Sequence, residues 1–128
     1  MRSKKTKNNL WKTRTYLVGH MQYASGQEWR EYVQEELEKM NVVVYNPYKK
    51  PFVKDVDEDE AARLKTQKNM LDSKFNKVAD RMREIRSFDL NLVDRSDFIV
   101  AHLIPDVASW GSAEELVTAI RMKKPVFL

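Results

Sequence analysis

The chain has 128 residues, enough for one domain with one core, and at 42% hydrophobic and 33% charged residues its composition is that of a globular fold. It has no cysteine, which excludes disulfides and thiolate metal sites, and no apolar run near the roughly 18 residues that cross a bilayer. The net charge of +4 is a property of one end: six of the 23 basic residues lie in residues 1–14, which hold no acidic residue, leaving 17 basic against 19 acidic.

That basic segment lacks the apolar stretch of a signal peptide, and a cytosolic protein is expected. The segment reads as a solvated, flexible tail, and it is the one part of the chain from which contact with a nucleic acid is conceivable. The domain is expected over residues 15–128. Thr15-Tyr16-Leu17-Val18 is β-prone and ends at Gly19, as a buried first strand would. Over residues 27–40 the period changes, with Trp29, Val33, Leu37 and Met40 at helical spacing. Val42-Val43-Val44-Tyr45 is a second β-branched run, stopped by Asn46-Pro47.

After a polar stretch, Leu64, Leu71, Phe75, Val78, Met82 and Ile85 form a long helical stripe, with room for a break, and Asp57 with Glu60 is a start signal. Phe98-Ile99-Val100-Ala101 reads as a strand covered on both faces. A polar loop then leads to a helix over about residues 113–122 and a last strand at Pro125-Val126-Phe127-Leu128. Ending on an apolar strand is unusual for a domain, which points to a tucked terminus or a missing last element.

Strands alternating with helices predict a flavodoxin-like or Rossmann-like α/β fold. Its open parallel sheet would have four to five strands, flanked by helices. Ligands of such sheets sit beyond the carboxyl ends of the strands. Gly19 and His20, then Asn46-Pro47, then the loop from Pro105 to Glu115 fall there, with Asp89 just ahead of the third strand. Dinucleotide and P-loop glycine motifs, a nucleophile elbow and a ligand-spaced histidine cluster are all lacking, so neither a metal nor a cofactor is expected.

Three segments in order carry a family resemblance. They are Tyr16-Leu17-Val18-Gly19 with Gly26-Gln27-Glu28-Trp29-Arg30 and Asn46-Pro47; Asp89-Leu90 through Ser96-Asp97-Phe98-Ile99-Val100-Ala101; and Ser109-Trp110-Gly111-Ser112-Ala113-Glu114-Glu115-Leu116 ending in Lys124-Pro125-Val126. Together they resemble the nucleoside 2-deoxyribosyltransferase family, including its deoxynucleoside 5′-monophosphate N-glycosidase branch. The resemblance covers most of the chain from Tyr16 onward, except the helical segment near residues 50–86.

The resemblance implies Glu115 as the nucleophile on C1′ of the deoxyribose and Asp89 as the group assisting the leaving base. It implies Ser109 at the sugar 5′ side or its phosphate, and Gly19 closing the first strand against the substrate. Trp110, Gly111 and Ser112 belong to the same loop, and His20 stands where relatives carry a small residue or proline. It further implies a deoxynucleoside or deoxynucleotide and a free base as the small-molecule partners, and a homo-oligomer. Two carboxylates, one attacking and one serving the leaving group, are the arrangement of retaining glycosidases.

Each residue also has a plainer reading. Ser112 and Glu115 have capping-box spacing, Asp89 could be a linker, and Asp97 could cap a turn. Trp29 fits core packing, Tyr23 and Trp110 could stack on a base, and Arg30 could anchor a loop, bind phosphate or form a surface ion pair. Hydrolysis in place of transfer, a non-catalytic nucleotide-binding module and an interaction protein are the competing functions.

Overall fold

The computed structural model describes residues 12–21, 24–49, 60–107 and 109–128, with only the backbone at 60–63. The elements run β1 (Arg14–Gly19), α1 (Ala24–Glu38), β2 (Val43–Tyr45), α2 (Glu60–Leu71), α3 (Phe75–Arg95), β3 (Phe98–His102), α4 (Trp110–Arg121) and β4 (Val126–Phe127). The basic segment up to residue 11, Tyr23 and the start signal at Asp57 lie outside the described residues.

The four strands form one sheet in the order β2-β1-β3-β4, every pair parallel. This is the open α/β sheet expected of a flavodoxin-like or Rossmann-like fold. The chain moves outward from β1 to β2, then crosses back over β1 to β3 and on to β4. Right-handed crossovers therefore put α1 on one face and α3 and α4 on the other. Consistently, α3 packs on both α4 and β1.

Side chains alternate across a strand, so Tyr16 and Val18 share a face with Ile99 and Ala101, their register partners on β3. With Tyr45, Leu92, Val93 and Ala119 they form the buried core between the sheet and α3–α4. The Val, Leu and Ile side chains among them each contribute about 1.5–3 kcal/mol on burial. Thr15 and Leu17 face the other way and are equally buried. The Thr15 hydroxyl donates to the Phe98 carbonyl, which satisfies it inside the sheet.

Two expectations change. The stripe from Leu64 to Ile85 divides into two helices, a break its spacing left room for, but its first half is not the packing face expected: Leu71 is 85% exposed and Phe75 56%. The second helix runs on to Arg95, because Phe88, Leu92 and Val93 continue the apolar spacing after Ile85. Asp89 is therefore a helical residue, not a linker ahead of β3. Among the described residues no helix is long and apolar enough to cross a membrane.

Candidate active site

The end of β1 is built for close approach. A Cβ on Gly19 would lie 2.7 Å from the His102 carbonyl oxygen and 2.8 Å from the Trp29 ring, so only glycine lets β1, β3 and α1 meet there. This glycine does not serve a turn, since no glycine among the described residues has positive φ. The carbonyls at this strand end are gathered by Arg30, which is 1% exposed. Its guanidinium donates to Gly19, His20 and Gly26, each at 2.8 Å, and to Leu17 at 3.4 Å. It lies over the rings of Trp29 and Tyr48. Of the readings open for Arg30, the loop anchor is the one observed, and a surface ion pair is excluded by its burial.

Across from this anchor, α4 starts at Trp110, three residues earlier than expected. Its N-cap is Ser109, which makes no side-chain capping bond. Ser112 and Glu115 are thus inside the helix, and the capping-box reading fails. Ser112 instead donates to the Gly19 carbonyl at 3.0 Å and accepts from the Ser109 hydroxyl. A hydroxyl relay ties the α4 start to the end of β1.

A cleft of about 650 Å³ opens at this junction. Gly19, Met21 and Pro47 form its floor at the strand ends, Thr66 and Gln67 of α2 and Met82, Ile85 and Arg86 of α3 one wall, and residues 109–112 with Glu114 and Glu115 the other. The position is where strand order reverses between β1 and β3, the switch point at which open α/β sheets bind ligands. Trp110 stands at the rim, 86% exposed.

Glu115 is 5% exposed and Asp89 1%. Burying carboxylates is costly without a counter-charge, and Arg86 supplies it. Its Nη1 donates to Glu115 Oε2 at 2.6 Å and lies 3.7 Å from Asp89 Oδ2. Nη2 donates to Glu114 Oε1 at 2.8 Å and to the Gly111 carbonyl at 3.1 Å, and Nε to Glu114 at 3.1 Å. Burial alone would lower the Arg86 pKa. The charge of Glu115, its hydrogen bond, that of Glu114 and the charge of Asp89 outweigh it and raise the pKa above the usual arginine value. Arg86 is therefore cationic at any working pH and is the counter-charge to the carboxylates around it.

Gly19, Ser109, Trp110, Gly111, Ser112 and Glu115 thus all line the cleft, as sequence placed them. Asp89 does not line it; it is buried beside Arg86. The His20 side chain faces elsewhere, into an adjoining cavity of about 260 Å³ with Leu103, Ile104 and Val107. Ser109 and Ser112 border both spaces. Among the described residues no group of three or more acidic or histidine side chains is disposed to hold a metal ion.

Arg86 is the charged residue at the centre of this cluster that sequence reasoning missed. Its signal was present in principle: an arginine three residues before an aspartate shares a helix face with it. Seeing this required reading the helix through residue 89. No protein-family profile matches the chain, and no curated protein matches it either.

Proposed function

We propose that this protein cleaves the N-glycosidic bond of 2′-deoxynucleosides or their 5′-monophosphates, with Glu115 attacking C1′ and the sugar passing to another base. The observation that carries the reading is a buried, arginine-paired glutamate in the wall of a large cleft at the strand-order switch point. A carboxylate paired with a cation there is suited to trap the oxocarbenium character that develops at C1′ as a glycosyl ester. The second carboxylate, Asp89, shares the same guanidinium nitrogen, so the two acids stand within one ion-pair network.

The volume suits a nucleoside or nucleotide, and the mixed lining suits one too. Apolar Met82 and Ile85 offer a face for a base, while Ser109, Ser112 and the start of α4 offer hydroxyls and backbone donors to the sugar side. A free base in the cleft would take the sugar by transfer; water would take it by hydrolysis. Function as a cytoplasmic homo-oligomer belongs to the same proposal.

The test is base release from the four 2′-deoxynucleosides and their 5′-monophosphates, with and without a free acceptor base. Glu115→Ala is expected to lower release by roughly 10³-fold or more, as loss of a covalent nucleophile does, with the fold intact by circular dichroism. Wild-type protein that releases and exchanges no base from any of these substrates would remove the reading.

A further inference from the structure

Asp89 is 1% exposed and does not line the cleft, whereas Arg86, whose Nη1 lies 3.7 Å from Asp89 Oδ2, does. The guanidinium and not the buried acid is therefore the group presented to a base leaving into the cleft. Arg86 is fixed on its far side by Glu114 and the Gly111 carbonyl, and Nη1 spans Glu115 and Asp89. Gly111 permits this seat: a Cβ there would lie 3.0 Å from Nη1.

Resting on the glycosidic reading above, we propose that Arg86 is a further catalytic residue, receiving the departing base as an anion while Asp89 and Glu114 act as its positioning residues. A lone pair of the Glu115 carboxylate forms the C1′–O bond. The C1′–N bond breaks, and its electron pair stays on the base nitrogen. No proton moves in this step. Glu115 becomes a neutral ester and releases its claim on Nη1 as the base gains one negative charge, so the guanidinium exchanges one anion for another. The free base then takes a proton from water.

The exchange sets a substrate class. Bases that are tolerable as anions, the 2,4-dioxopyrimidines and 6-oxopurines, are favoured. Adenine and cytosine, which depart readily only after protonation, are disfavoured.

The experiment measures base release by wild type, Arg86→Gln, Arg86→Lys and Asp89→Asn from 2′-deoxyuridine, 5-fluoro-2′-deoxyuridine and 2′-deoxycytidine. Folding of each variant is checked by thermal melting. Removing a donor that meets developing charge costs about 10²–10³-fold, so R86Q is expected to lose that much on deoxyuridine and about tenfold less on the fluorinated substrate, whose base is the better leaving group. R86K is expected to recover part of the loss, and wild type to prefer deoxyuridine to deoxycytidine.

Equal losses on both uracil substrates would overturn the proposal, since an arginine that only orients Glu115 slows every leaving group alike. So would a leaving-group-dependent loss in D89N with none in R86Q, which would make Asp89 the proton donor. If R86Q fails to fold, R86K and the wild-type base preference decide, and a preference for deoxycytidine overturns it. Wild type inactive on every deoxynucleoside and 5′-monophosphate would defeat the glycosidic reading itself; activity with the wrong leaving-group pattern defeats only the role of Arg86.

Discussion

His20 is 2% exposed, and its Nε2 pairs with the Ser25 hydroxyl at 2.9 Å while Nδ1 has no hydrogen-bond partner among the described residues. Burial first, then the neighbouring charge of Arg30, then His102, depress its pKa below the ordinary 6.5. The unfolded chain therefore takes up this proton before the folded one as pH falls. The stability due to neutral His20 is full above about 6.5 and drains below it, because stability rises with pH wherever the unfolded state binds more protons. Melting temperature is expected to fall more steeply from pH 7 to pH 5 in wild type than in His20→Gln. Parallel pH profiles for the two proteins would refute this. The same residue scale explains Arg30: it serves as a carbonyl collector, since each buried acceptor left unpaired costs about 1–3 kcal/mol.

Three helices end alike, and none of them uses glycine. Asn41, Ser73 and Lys123 follow α1, α2 and α4 with φ of 60°, 58° and 60°, in the left-handed region. Each end carries the paired bonds of a Schellman motif, as in Lys124 N–H to the Ala119 carbonyl at 3.0 Å and Lys123 N–H to Ile120 at 2.9 Å. A residue with a Cβ pays about 1–2 kcal/mol there, partly offset because glycine gains about 0.4–1 kcal/mol of unfolded-state entropy. Lys123→Gly is accordingly expected to stabilise the protein by about 0.5–1 kcal/mol, read from urea unfolding. A destabilised variant would show that the left-handed position is not what limits this end. The end of α3 is closed differently. The Lys124 ammonium donates to the carbonyls of Val93, Asp94 and Ser96, a cation set at the negative end of the helix.

At the scale of the molecule, the cleft exists because strand order reverses at β1. The crossover back to β3 sends α3 to the opposite face from α1, next to α4, and leaves a crevice at the carboxyl ends of β1 and β3. Arg86 on α3 and Glu115 on α4 then face each other across it. A ligand bound only by the folded state raises stability by about 2.7 kcal/mol at 100 times its dissociation constant. With turnover removed by Glu115→Ala, millimolar 2′-deoxyuridine or its 5′-monophosphate is expected to raise the melting temperature by several degrees. No shift with any deoxynucleoside or deoxynucleotide would mean that the cleft does not hold them.

Sequence alone determined the alternation of strands and helices, the parallel sheet, and which short segments reach its carboxyl edge. Those properties are written in contiguous residues: the apolar run of β1, the change of period into α1, the serine–glycine loop before α4. Most of the expected cleft residues could be named on that basis. Tertiary structure decided what the residues do there. It turned His20 away from the cleft, made Ser112 a donor to Gly19 93 positions earlier, and set Asp89 beside an arginine whose partners on α4 lie 25, 28 and 29 positions further on. Glu115 has the spacing of a helix cap when α4 is started at Ala113. It is a buried ion-pair partner in the molecule, because the helix begins at Trp110 and Arg86 of α3 packs against its first turns. No local pattern encodes a charge brought in from another helix, and that charge is what allows Glu115 and Asp89 to be buried.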